Sequence, residues 1–132
     1  MIVVDASALL EFLLQTSIGT RVEARLFRDE DDEFHSPHLV DVEVTQGLRR
    51  LVRVGEVTAD RAAEAIADLA DLDLHRHPHL DLLTRAWKLR ENVTAYDAMY
   101  VALAEALGAP LVTCDKPLGK APGHRAQIEV IE

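Results

Sequence analysis

Four acidic side chains stand out as candidates for chemistry: Asp5, Glu43, Asp97 and Asp115. Asp5 directly follows Ile2-Val3-Val4, and Asp115 directly follows Leu111-Val112-Thr113-Cys114. Both apolar runs read as short buried strands. Asp97 lies in Thr94-Ala95-Tyr96-Asp97-Ala98-Met99-Tyr100-Val101-Ala102-Leu103-Ala104, a helix that is apolar on nearly every side. Glu43 sits near the start of another helix, between Val42 and Val44. Carboxylates gathered in one place repel, and some must hold a proton unless a cation joins them. A hard divalent ion such as Mg²⁺ resolves that cost with oxygen ligands and retained waters. At a phosphodiester, such an ion activates a water and neutralises charge building on the phosphate and the leaving oxygen.

Each acid also has an ordinary local explanation. Thr94 followed three residues later by Asp97 matches a capping box, and a carboxylate in the first turn suits the helix dipole. Asp5 can cap a helix, Asp115 can open the turn Asp115-Lys116-Pro117, and Glu43 can be a solvated helix residue. A cap accounts for helix starts. It does not account for two acids at the ends of strands expected to be neighbours in one sheet.

The elements that must position these acids follow from periodicity. Strands are expected at Ile2-Val3-Val4, at Phe34-His35-Ser36 ending at Pro37, at Leu72 to His75, at Leu111 to Thr113 and at Gln127 to Ile131. Helices are expected from Ala6 to Leu14, Thr20 to Arg28, Leu39 to Val54, Thr58 to Leu72, Leu80 to Arg90 and Ala95 to Leu107. In the second of these, Val22, Leu26 and Phe27 face inward; in the third, Val40, Val44, Leu48, Leu51 and Val52 form the apolar stripe. Strands alternating with helices argue for an α/β fold: a mostly parallel central sheet of four to five short strands with helices on both faces. In such folds sites lie beyond the carboxyl ends of the strands, where Asp5 and Asp115 fall. The 132 residues make one domain, 1–132, with no linker or repeat.

Composition narrows the class. Hydrophobic residues make up 48% of the chain, enough for a real core, and no apolar run approaches a membrane span. The N-terminus lacks the basic region of a signal peptide. The single cysteine, Cys114, excludes an internal disulfide and fits a reducing cytoplasm; packing in a strand is its plainer role. The net charge of −9 argues against a general nucleic-acid binder. Five of the negative charges come from Asp29-Glu30-Asp31-Asp32-Glu33, read as a solvated loop because it lacks the glycine of a calcium loop. Basic residues cluster locally at Arg49, Arg50 and Arg53, at Arg85, Lys88 and Arg90, and at Lys116 and Lys120. A local basic rim is compatible with a negative total.

The blocks around Asp5 (Ile2-Val3-Val4-Asp5-Ala6-Ser7-Ala8), Glu43 (Asp41-Val42-Glu43-Val44), Asp97 and Asp115 resemble the four acidic blocks of PIN-domain ribonucleases, and especially the VapC toxins of bacterial VapBC toxin–antitoxin pairs. The resemblance spans essentially the whole chain in the right order. It implies a PIN-like fold and a metal-dependent endoribonuclease, a hydrolase of class EC 3.1, using Mg²⁺ or Mn²⁺ held by Asp5, Glu43, Asp97 and Asp115. Ser7, Thr94 and Thr113 stand where the family often has small polar residues supporting the acids or metal-bound waters. It further implies a structured RNA substrate, often tRNA or ribosomal RNA, a homodimer, a cognate VapB-type antitoxin and a larger toxin–antitoxin assembly.

Two other classes compete. One is a non-catalytic PIN module that binds a partner or RNA; the presence of all four acids argues against it. The other is a receiver-like signalling domain, for which no phospho-acceptor aspartate on a central strand is evident. The haloacid-dehalogenase pattern is missing its second aspartate, since Asp5 is followed by Ala6-Ser7. Three further signals stay open. His75, His77 and His79 alternate, but zinc among them has no nearby cysteine and meets Pro78. Trp87 suits a core or a subunit interface better than base stacking. Leu9, Leu10, Phe12 and Leu13 suit either core packing or an apolar groove for a partner peptide.

Overall fold

The computed structural model describes residues 1–132. Five strands, β1 (Ile2–Val4), β2 (Phe34–Pro37), β3 (Leu74–His77), β4 (Leu111–Thr113) and β5 (Ile128–Val130), form one all-parallel sheet in the order β3-β2-β1-β4-β5. Central parallel strands are covered on both faces, which is why β1 reads Ile-Val-Val and is buried at every residue. The helices are α1 (Ala6–Leu13), α2 (Ser17–Leu26), α3 (Leu39–Arg53), α4 (Ala59–Asp71), α5 (Leu83–Lys88), α6 (Ala95–Leu107) and α7 (Lys116–Gly119).

The connectivity decides where a site can form. From β1 the chain winds outward through β2 to the edge strand β3, then crosses back through α5 and α6 to β4 on the other side of β1. The winding direction therefore reverses beside β1, and a crevice opens beyond the carboxyl ends of β1 and β4. Val3 pairs with Leu111 and Val4 with Val112, so the residues that follow the two strands emerge side by side.

Helix α6 is apolar because it runs through the interior: Ala98 to Ala104 are all buried. Gly108 ends it in the left-handed region at φ 61°, where a side chain would be strained. Helices α1 and α2 meet so closely at Gly19 that a Cβ there would lie 2.0 Å from the Glu11 carbonyl oxygen. Leu9 and Leu13 are core residues, and Leu10 and Phe12 are partly buried against the core, so this stretch is spent mainly on packing.

Several boundaries differ from the sequence expectation. Helix α2 begins at Ser17 rather than Thr20, because the Thr16 hydroxyl caps it by accepting from the Gly19 amide. Phe27 is 52% exposed instead of inward; its ring meets the buried Phe34 edge-on and Phe12 at a tilt. Strand β3 is shifted to Leu74–His77, fixed by pairing with β2 from Phe34–Leu74 through Pro37–His77. The stretch from Leu80 is split into a 3-10 turn, Leu80–Leu82, and the short α5. The turn after Asp115 is one helical turn, α7. Trp87 is not core: it is 68% exposed, with the Arg90 guanidinium 4.6 Å above its ring.

Candidate active site

Asp5 leaves the end of β1 and caps α1, its Oδ1 accepting from the Ala8 amide at 3.0 Å. It is only 4% exposed. The Ser7 hydroxyl donates to the same oxygen at 2.6 Å, and the Thr113 hydroxyl donates to Oδ2. Thr113 also accepts the Asp115 amide at 3.0 Å, while Ser7 accepts the Cys114 amide at 2.9 Å. Ser7 and Thr113 thus bind the end of β1 to the end of β4 and fix the carboxylate of Asp5 between them. Burial pushes the Asp5 carboxyl above its ordinary range despite those hydrogen bonds.

Asp97 resolves the question of the cap. Thr94 is the N-cap of α6, and its hydroxyl accepts from the Asp97 amide at 3.2 Å. The reciprocal bond, from the Thr94 amide to the Asp97 carboxylate, is not formed. Half of the capping box is made, and the carboxylate of Asp97 lines the cleft instead. Burial first, and then the neighbouring charge of Asp115, raise its pKa. Glu43, in the second turn of α3, accepts from the Tyr100 hydroxyl at 2.6 Å. Burial raises its pKa as well, with Asp97 and Asp5 adding repulsion and the Tyr100 bond opposing the rise. The Tyr100 phenol is itself held far above its usual range by burial and by Glu43, so it stays a donor.

Asp5, Glu43, Asp97 and Asp115 line one cleft of about 550 Å³ at the switch point. Three of the four are held toward their protonated forms. None of the four takes part in an ion pair. A set of hard oxygen donors under this repulsion fits a divalent cation of the magnesium type. Cys114 fits no nucleophilic role: burial lifts its thiol to about 11.

Sequence reasoning gave no role to Tyr100 or Gln46 and placed Arg50 only in a local basic cluster; all three line the same cleft. The signal was available in the helical spacing. Tyr100 is three residues after Asp97, and Gln46 and Arg50 are three and seven after Glu43, so each shares a face with its acid. Tyr96 and Val42, 66% and 71% exposed, form the apolar part of the rim. Of the three alternating histidines, His75 and His77 lie on β3 and His79 lies beyond it, all away from this cleft.

The PIN domain family matches residues 2–123. Ribonuclease VapC12 of Mycobacterium tuberculosis is 38% identical over 131 residues, covering 99% of each chain. Two solved structures share the fold. Mycobacterium tuberculosis VapC20, described as a sarcin-ricin loop cleaving toxin, superposes with a TM-score of 0.66 at 17% identity, over 91% of this chain and 94% of that one. VapBC2 of Rickettsia felis, bound to a DNA fragment from their promoter, gives 0.68 at 14% identity over the full length of both chains. PIN-domain nucleases in general depend on a divalent metal. The family match removes the receiver-like alternative. With PIN similarity along nearly its whole length and ribonuclease relatives at this identity, the chain belongs to the PIN-domain family as a VapC-type endoribonuclease toxin.

Proposed function

We propose that this VapC-type toxin hydrolyses structured RNA through a Mg²⁺ or Mn²⁺ site made by Asp5, Glu43, Asp97 and Asp115. The observation that carries the reading is the convergence of these four acids on one cleft, three of them raised in pKa and none neutralised by a base. When bound, the ion supplies an activated water and charge neutralisation at the phosphate. The protein's own residues do the positioning. Ser7 and Thr113 fix both oxygens of Asp5, Thr94 pins the first turn of α6 below Asp97, and Tyr100 orients Glu43. Arg50 on the cleft wall meets the substrate's phosphates, and the exposed ring of Tyr96 offers a stacking surface to an unpaired base.

A structured ribosomal or transfer RNA is the substrate class, a reading supported by the description of VapC20. The partner is a cognate VapB-type antitoxin, supported by the VapBC2 likeness. An antitoxin arginine or lysine placed among the four acids would compete with the ion for the same carboxylates. The toxin works as a homodimer within a larger toxin–antitoxin assembly, in the cytoplasm, where its free Cys114 stays reduced. No helix is long and apolar enough to cross a membrane.

The test is cleavage of structured RNA by the purified chain, with the cut ends mapped. Cleavage is expected with millimolar Mg²⁺ or Mn²⁺, to stop in EDTA and to return when Mg²⁺ is added back. Undiminished cleavage in excess chelator would overturn the metal site. Expression of the chain alone is expected to slow growth, and co-expression of its antitoxin to relieve it.

A further inference from the structure

A second set of ligand-type side chains lies away from the cleft, where β2 pairs with the edge strand β3. His35 and His75 are direct cross-strand partners, and their rings stack with centroids 4.7 Å apart. Glu33 immediately precedes β2, and its Oε2 lies 3.5 Å from His35 Nε2 and 4.0 Å from His75 Nε2. One ligand atom from each of the three falls within 4.8 Å of the others.

The decisive atom is His35 Nε2. His35 is only 6% exposed, and this nitrogen has no hydrogen-bond partner although it is buried. Its other nitrogen, Nδ1, lies 2.8 Å from His77 Nε2. Either ring can donate in that bond; in the tautomer where His35 Nδ1 donates, the Nε2 lone pair faces the Glu33 carboxylate, which is also an acceptor. A cation between them satisfies both acceptors, whereas the opposite tautomer places an N–H there that makes no hydrogen bond to Glu33.

We propose that Glu33, His35 and His75 bind one divalent transition ion of the zinc type, with His77 as the hydrogen-bonded support of His35. Three protein ligands, two imidazoles and a carboxylate, with the fourth position open to water, are a donor set zinc accepts. Ligands about 2.1 Å from a tetrahedral ion lie about 3.4 Å apart, so the two Glu33–imidazole separations need small movements, and the stacked rings of His35 and His75 must tilt for both lone pairs to converge on the ion. Glu33 and His75 can make them, being 60% and 50% exposed. The site opens on an acidic cleft of about 440 Å³ lined by Asp29, Glu30, Asp32 and Asp73. These charges raise the local cation concentration. The loop read from sequence as merely solvated thus gains a use. The imidazole nitrogens exclude a preference for Mg²⁺, which seeks oxygen. Bound there, zinc ties the edge strand to its neighbour.

The experiment titrates Zn²⁺, and Co²⁺ as a visible-absorbing substitute, into the purified chain with millimolar Mg²⁺ present to occupy the four-acid cleft. One equivalent is expected to bind, with Co²⁺ giving the visible bands of a tetrahedral site and Zn²⁺ raising Tm. Glu33→Gln and His75→Gln, both on exposed side chains, are each expected to weaken binding about 100-fold or more. His77→Gln is expected to weaken it about 10–100-fold, as loss of a supporting hydrogen bond does. Asp97→Asn should leave it unchanged. Any one of three results would overturn the proposal: no zinc bound by the wild type, wild-type affinity in folded Glu33→Gln and His75→Gln, or loss of binding in folded Asp97→Asn.

Discussion

Tyr100→Phe probes how Glu43 is held. The lost group is a phenol on a side chain only 1% exposed, donating to Glu43 Oε1 at 2.6 Å. Hydrogen bonds to charged groups contribute about 1.5–3 kcal/mol and neutral ones about 0.5–1.5 kcal/mol. Glu43 lines an open cleft, so water replaces part of the lost bond and the lower end applies: about 1.5 kcal/mol at pH 7.5 in chelator. At roughly 3–6 °C per kcal/mol for a chain of this length, Tm falls by about 5–9 °C. The pH dependence has a definite sign. Burial raises the folded pKa of Glu43 above its unfolded value, so the folded state binds more protons and the metal-free protein loses stability as pH rises through that folded pKa. Deleting the hydroxyl removes the one contact opposing the rise. The penalty is therefore largest where Glu43 is ionised and shrinks to about 0.5–1 kcal/mol where it is protonated. Since about 1.4 kcal/mol equals one pKa unit, the acid limb of Mg²⁺-supported cleavage moves upward by up to about one pH unit. Urea unfolding in EDTA at pH 7.5 and 4.0, with cleavage rate against pH, measures both effects. Equal penalties at the two pH values together with an unmoved acid limb would refute the reasoning.

Asp97→Asn is expected to leave the metal-free protein at least as stable as wild type, because it removes charge from a crowded site, while RNA cleavage collapses. Thr94→Ala should cost about 1 kcal/mol through the lost cap and keep more activity than Asp97→Asn; a folded Asp97→Asn protein cutting at close to the wild-type rate would mean the acid is only part of a helix start. Glu105 accepts from Arg85 at 2.7 and 3.0 Å and from the Arg125 amide at 2.9 Å, and Arg85 first of all lowers its pKa from 4.5 to about 2. A depressed carboxyl stabilises above its unfolded pKa and loses that contribution as pH falls from about 4.5 toward 2. The drop of about 2.5 units is worth about 3 kcal/mol. Glu105→Gln should cost that much in chemical denaturation at pH 7 and little at pH 2; an equal cost at both would break the assignment.

The four acids, their order and the elements carrying them were legible in the sequence. For the three aspartates the reason is local: a short strand run followed by aspartate, or a helix apolar all round with one acid in its first turn, is a pattern within ten residues, whereas Glu43 has no such pattern and stood out only through the family resemblance. Periodicity reports which faces are apolar, and in a parallel α/β fold that is nearly enough to name the layers. It does not report partners. Whether Asp97 spends its carboxylate on a cap depends on where the first turn of α6 sits against the cleft; the Thr94 hydroxyl accepts the Asp97 amide, and the carboxylate lines the cleft with the other acids. Tyr100 became a partner of Glu43 because the fold brings the two helices to opposite walls of one cleft, across 57 residues of sequence. The register of β3 shifted by two residues because pairing with β2, not its own alternation, sets a strand's ends. The same pairing drew His35 and Glu33 to His75 and left His79 outside, although the sequence pattern had grouped His79 with His75. The sequence by itself determined which residues can do chemistry and at which ends of which elements they lie. The order of the strands, which no local pattern encodes, decided which of them meet.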